Sequence, residues 1–315
     1  MADRKCQLEM GAEAIGGLLE EFRAGNVGRR DVEKDRLERH LGEVSRRWNE
    51  RFPGLPEGQF AYSSFKGISR RRVRDEYLKG IIAGLLEGSE GEGKTIVNPI
   101  CVWGRHARDV ARRLGAFRVI GTDIQSVGDW LYGHIPWKKQ PENYEFRRDD
   151  IFSPKAEVEP AAVVFFGACG SLSDAAIDYA IESNALLLVC RTCCHDNISG
   201  NTEVVKRFGL LNLAFRFKNF VYARRRKKGK GDYFSAKYSK DHYPRSQAAR
   251  GLANSDELIE VARNTVGSDI CRSIIDLDRY LHLAEAGYDV WYRGEMFVAQ
   301  IAAKAQRHEE THGVD

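Results

Sequence analysis

The chain has no apolar run that approaches the ~20 residues needed to cross a bilayer as a helix, while 30% of its 315 residues are charged. It is therefore expected to stay out of the membrane. The opening Met-Ala-Asp-Arg-Lys-Cys leads into no apolar signal core, which predicts a protein that is not secreted. Cysteine is sparse: seven in all, an odd number that includes the adjacent pair Cys193-Cys194. That count does not suit a disulfide framework, and reduced thiols in a cytoplasmic or nuclear compartment are expected. The sequence also lacks two separated ligand pairs of the kind a zinc site uses. Neighbouring residues on an extended strand end, such as Cys193, Cys194 and His195, point to opposite sides, so no metal is expected. No internal repeat is visible.

What is present is enough apolar residue (43%) to bury a full core. Residues 1–90 read as a helical N-terminal region. Ile15, Leu18, Leu19 and Phe22 share one helical face, and Leu37, Leu41, Val44 and Trp48 share another. A third helix, Arg70 to Leu86, is expected to turn Val73, Tyr77, Ile81 and Leu85 inward. The glycine-rich stretch from Gly88 to Gly93 marks a linker. From residue 94 to 302 the pattern changes to strands alternating with helices, which predicts an α/β fold with a doubly wound, Rossmann-like parallel sheet. Expected strands are Thr95–Asn98, Phe117–Thr122, Tyr144–Arg148, Val163–Phe166, Ala185–Cys190 and a closing strand Asp289–Val298. Expected helices include Asp256–Arg263 and Ile270–Ala286, the latter capped by Gly287. A hairpin is expected within Leu210–Tyr238, and residues 303–315 read as a flexible tail.

Charge is distributed unevenly. Residues 216–240 hold ten Lys or Arg against Asp232 alone, so this segment carries +9 and the remaining 290 residues carry −5. Arg224, Arg225, Arg226, Lys227, Lys228 and Lys230 form its densest part, with Phe217, Phe220, Tyr222, Tyr233, Phe234 and Tyr238 interleaved. Cations beside exposed aromatics suit a polyanion that presents phosphates and bases, so RNA is the expected partner. A solvated basic loop is the alternative reading.

Two passages carry candidate chemistry. The first runs from Val97 through Asn98 and Gly104-Arg105-His106-Ala107 to Asp123, which ends the second strand. A glycine turn lets backbone approach a ligand, and an acid at the end of the next strand accepts hydrogen bonds from ribose hydroxyls. Asp149-Asp150-Ile151 follows the third strand. The second passage has Gly167, Cys169, Gly170 and Asp174 after the fourth strand, and Cys193, Cys194 and His195 after the fifth. In open α/β sheets, ligands bind outside the carboxyl ends of the strands, so these residues are expected on one rim.

The first passage resembles class I S-adenosylmethionine (SAM)-dependent methyltransferases, in which Gly-Arg-His-Ala after the first strand is a familiar variant. The resemblance implies SAM as cofactor, held by Asn98, Gly104, Arg105, Asp123, Ile124, Asp149, Asp150, Ile151, Gly167 and Cys169. This chain departs from the family at the end of the first strand, where Asn98, Ile100 and Val102 replace an acid and two glycines. The second passage is similar to the eukaryotic tRNA ribose 2′-O-methyltransferases that act on the acceptor stem. Those proteins carry Cys-Gly-x-x-x-Asp, Cys-Cys-His and a closing Ile-Asp-x-x-Arg helix, matched here by Cys169 to Asp174, Cys193 to His195, and Ile275-Asp276 with Arg279. Their N-terminal zinc modules have no counterpart, because residues 1–90 contain only Cys6 and His40, and Asp196 stands where they have a second histidine.

The expected activity is methyl transfer from SAM to an RNA ribose hydroxyl or base, with His195 as general base and Asp174 orienting the acceptor or capping its own helix. Two alternatives stay open. One is a non-catalytic RNA-binding or scaffold protein on the same fold; the other is a methyltransferase for a small molecule or protein.

Overall fold

Apolar residues alternating at the strand period decide the architecture. In the computed structural model, residues 2–25, 30–55, 68–86, 94–101, 104–123, 140–155, 159–169, 171–193, 244–254, 257–258 and 269–301 are described. Three helices come first: α1 (Ala2–Arg23), α2 (Arg30–Arg51) and α3 (Ile68–Leu86). The alternating part follows as β1 (Thr95–Pro99), α4 (Arg105–Arg113), β2 (Arg118–Asp123), β3 (Tyr144–Arg148), β4 (Ala162–Cys169), α5 (Ser171–Glu182) and β5 (Leu187–Cys193). It closes with α6 (Gln247–Leu252), α7 (Asp269–Glu285), β6 (Tyr288–Arg293) and β7 (Met296–Ile301). The expected linker at 88–93, the segments 210–238 and 216–240, the tail 303–315 and most of the helix expected at Asp256–Arg263 lie outside the described residues.

The strands form one seven-stranded sheet in the order β3-β2-β1-β4-β5-β7-β6. Strands β1 to β5 run parallel, and β7 pairs antiparallel with both β5 and β6. The fold is thus α/β with a mostly parallel, doubly wound sheet. The chain moves outward from β1 through β2 to β3, then returns to place β4 on the other side of β1. That reversal opens a crevice at the carboxyl ends of β1 and β4, where ligands of such sheets bind.

Successive strand residues face opposite sides. Val97, Val163, Phe165, Leu188 and Cys190 pack towards α1, α5 and α7, whereas Ile96, Ala162, Val164, Leu187 and Val189 pack towards α3 and α4. Ile15, Leu18 and Leu19 of α1 share a core with Ile274, Leu277 and Leu281 of α7. The two helices approach closely at Gly11, where a Cβ would lie 2.7 Å from Leu281 Cδ2. The turn after α7 is made as expected by Gly287, at φ 96°.

Two expectations need correction. Helix α3 does not bury Val73, Tyr77, Ile81 and Leu85: Val73 is exposed and the other three are half-buried. The buried face is Arg74, Asp75, Leu78, Lys79, Ile82 and Leu86. Helical periodicity assigns charges to solvent, but here Arg74, Asp75 and Lys79 each meet an opposite charge on another element, which permits their burial.

The chain also closes with a hairpin rather than one strand. Gly294 and Glu295, at φ 47° and 74°, form a two-residue turn between β6 and β7. Turns with both central residues left-handed normally take Asn-Gly or Gly-Gly, and a glutamate there gives no turn signal. Glu295 is held in place by its neighbours: its carbonyl accepts the Thr192 N–H at 2.8 Å, and its carboxylate lies 3.3 Å from Arg74 Nη1.

Candidate active site

The carboxyl edge is laced together by backbone hydrogen bonds. After β1, the Cys101 N–H donates to the Thr122 carbonyl (2.9 Å), and the Gly104 N–H donates to the Cys101 carbonyl (2.7 Å). The Asp149 N–H donates to the Asp123 carbonyl (3.1 Å), so the ends of β1, β2 and β3 meet in a row. Gly104 opens α4 at φ 62°. A Cβ there would lie 2.5 Å from Arg108 Nη1 and 2.6 Å from the Tyr144 hydroxyl, so only glycine fits. The same hydroxyl would be 2.6 Å from a Cβ at Gly121. The buried Arg108 guanidinium lies 4.7 Å over the Tyr144 ring, an arrangement that places a positive charge under the junction.

The junction also holds strain. Ile100 has φ 59°, a left-handed conformation that costs a β-branched residue roughly 1–3 kcal/mol. Such strain gathers at binding and catalytic sites. Burial, reinforced by nearby Asp123, pushes the Cys101 thiol up to about 12, so it stays protonated and is no nucleophile.

The residues expected to hold a cofactor divide into two groups. Asp123, half-buried, and Arg105, exposed, stand at the edge beside Gly104. Asn98, Asp149, Asp150 and Ile151 make contacts within the sheet, loop or core. Asn98 is buried and its Nδ2 donates to the Val164 carbonyl (2.7 Å), which ties β1 to β4. Asp149 Oδ1 accepts the N–H groups of Asp150 (2.9 Å) and Lys155 (3.1 Å), and Asp150 Oδ1 accepts that of Phe152 (3.0 Å). Both carboxylates therefore shape the loop after β3, and Ile151 sits in the core. Gly167, at φ 83°, lies at a register shift between Phe166 and Ala168, a bulge at the end of β4. Cys169 and Cys193 are paired across β4 and β5. Ile124, Gly170, Cys194, His195 and the basic residues Arg224, Arg225, Arg226, Lys227, Lys228 and Lys230 lie outside the described residues.

Asp174 belongs to a buried network on the α7 side of this edge. Its Oδ1 accepts from Arg279 Nε (2.7 Å), while Arg279 Nη1 donates to Asp276 (2.8 Å). The Thr192 hydroxyl also donates to Asp276 (3.1 Å). All four side chains are buried. One guanidinium thus ties the start of α5, the end of β5 and the middle of α7 together, three segments that the sequence motifs mark separately.

A second network occupies the opposite face of the same strand end, and sequence reasoning missed it. Arg191, next to Thr192 and therefore facing the other way, donates through Nε to Asp75 of α3 (2.6 Å). The other oxygen of Asp75 lies 3.7 Å from His106 Nε2, and the His106 ring lies 4.8 Å from that of Phe166. Burial pushes the His106 pKa below its ordinary 6.5, against the pull of Asp75. The Gly-Arg-His-Ala run signals His106, but nothing in the helical pattern around Asp75 announces a partner for it.

No protein-family model matches the chain, and no curated protein matches it. Solved structures similar to it include methyltransferases. Magnesium protoporphyrin IX methyltransferase from Synechocystis PCC 6803, with bound SAH, is 10% identical over 85% of this chain and 100% of that one, with a TM-score of 0.36. The antibiotic-resistance methyltransferase Kmr is 11% identical over 71% of this chain and 93% of its own, at 0.33. The citrinin polyketide synthase CMeT domain is 16% identical over 51% of this chain, which spans 50% of that domain's length, at 0.32. At those scores the likeness assigns neither activity nor substrate.

Proposed function

We propose that the chain binds SAM at the carboxyl edge of β1 and β2 and transfers its methyl group to RNA, at a ribose hydroxyl or a base. The observation that carries this reading is the edge itself: a left-handed, glycine-only entry to α4 follows β1, and Asp123 ends the neighbouring strand β2, at the sheet's switch point. A half-buried carboxylate at that place suits the two hydroxyls of a ribose, so the donor set fits an adenosine cofactor. When bound, SAM supplies a methyl group already activated on a sulfonium.

The chain's own part is to hold donor and acceptor in line and to exclude water. Asp123 accepts the ribose hydroxyls, and the backbone around Gly104 supports the other end of the ligand. Asp174 acts through Arg279 and Asp276 and keeps the ends of β4 and β5 together. His195, two residues beyond the last described residue of β5, takes the acceptor proton. The basic segment 216–240 grips the RNA.

Titration calorimetry with SAM and with SAH tests the reading. Binding is expected, and Asp123→Ala should weaken it about 10- to 100-fold through lost charge-assisted hydrogen bonds. The His195→Ala variant should keep that binding and lose methyl transfer to RNA by about a hundredfold or more. No heat at millimolar SAM would refute the enzyme reading. A second reading, RNA binding on this fold without catalysis, draws on the inward turn of Asn98 and on the engagement of Asp149 and Asp150 with their own loop. The same titration separates the two.

A further inference from the structure

Several exposed arginines here have an acid beside them. Arg23 pairs with Glu257, Arg46 with Glu43 and Glu50, Arg112 with Asp109, Arg113 with Glu76, and Arg118 with Glu145. Arg71 and Arg72 near the start of α3, and Arg105 in the first turn of α4, are exposed and have no acidic partner among the described residues. All three flank one point. Asp75 lies one turn beyond Arg71 and Arg72, His106 follows Arg105, and Asp75 and His106 approach to 3.7 Å. That point also contacts Arg191 at the end of β5 and Phe166 at the end of β4, so the starts of α3 and α4, which carry the arginines, lie beside the carboxyl ends of these strands.

Their placement is unfavourable for folding. The first turn of α3 contains no acid, and cations there oppose the helix macrodipole. Arg71 also adds to the positive charge around the buried Arg74, which already lies near Arg191. A chain that keeps uncompensated cations at such a site has a surface suited to a polyanion.

We infer that Arg71, Arg72 and Arg105 form a phosphate-gripping edge that holds the backbone of the acceptor RNA across the mouth of the site. This rests on the RNA reading above. It gives that reading a contact surface on the N-terminal helices, separate from segment 216–240. Phosphate contacts of this kind position a strand without reading its bases, so the edge sets the register of the acceptor rather than its sequence.

The test uses the full-length double variant Arg71→Glu/Arg72→Glu, with a fluorescently labelled single-stranded RNA as probe and anisotropy measured across a salt series. The wild-type chain should bind the probe with a clear salt dependence. Two lost phosphate contacts should lower the slope of log affinity against log salt by roughly 1.4 in the variant, and weaken binding about tenfold or more near 0.1 M salt. Acids in the first turn of α3 favour the helix, so the thermal midpoint should hold or rise, and SAM binding by calorimetry should not change. If the variant binds RNA with wild-type affinity and slope, the edge is not the contact surface, while the RNA reading survives. If the wild-type chain shows no salt-dependent binding, both fall. Loss of SAM binding together with RNA binding would also overturn the inference, since the arginines would then act through the fold. So would a polyglutamate peptide that displaces the RNA at equal charge, since that would point to an acidic protein instead.

Discussion

At Arg279, one guanidinium faces two buried carboxylates, Asp174 and Asp276, at 2.7 and 2.8 Å. Removing the cation strands two negative charges where solvent cannot reach them. Arg279→Met should cost about 3–5 kcal/mol, the penalty for breaking a buried pair. Urea denaturation measures this, and a loss below about 1 kcal/mol would show that the network is not what holds these segments. His106 supplies a pH dependence. Burial holds its pKa below the ordinary 6.5, so the unfolded chain takes up the proton first as pH falls. Its contribution is complete above pH 6.5 and is lost as pH falls through that value towards the folded pKa. The thermal midpoint of the wild-type chain should therefore drop more steeply on acidification than that of His106→Gln. Parallel melting curves for the two would contradict the assignment. Cys101 shows a different use of burial, because its raised pKa keeps the thiol protonated just past the end of β1.

At the level of elements, helix α3 and the β6–β7 hairpin were the least legible. Helical periodicity places charged residues outward and apolar ones inward, and α3 contradicts it through Arg74, Asp75 and Lys79, whose partners lie on other elements. The hairpin turn at Gly294-Glu295 escapes turn rules for a related reason: long-range contacts to Arg74 and Thr192 hold a left-handed glutamate that local chemistry disfavours. Glu295→Ala should therefore destabilise the fold by several kcal/mol, about 3–5 on the scale of buried pairs, because it takes the Glu295 carboxylate away from the buried Arg74. If chemical denaturation shows the variant as stable as the wild type, the strain at φ 74° outweighs the ion pair. The parallel strands, by contrast, were legible in number and order, with boundaries off by up to three residues at β4 and β5. Tyr144–Arg148 is β3 as read, and Thr95–Asn98 falls one residue short of β1. Short apolar runs bounded by turn residues carry their own boundaries.

Over the whole molecule, the sequence by itself determined the alternation of strands and helices, the parallel sheet, and the placement of Gly104 and Asp123 on one edge. Those features depend on local periods and on turn chemistry, which a linear chain displays directly. Only the tertiary structure decided how charge is buried. Asp75 meets Arg191 116 residues away, and Asp174 meets Arg279 105 residues away. A charged residue in a sequence looks like a surface residue until its partner is known, and the partner is set by which elements the fold brings together. For the same reason Asp174, expected to orient an acceptor or to cap its own helix, is found in a buried network with Arg279 and Asp276. Arg71, Arg72 and Arg105, three ordinary cations in the sequence, come to flank a single edge of the site because α3 and α4 both begin there.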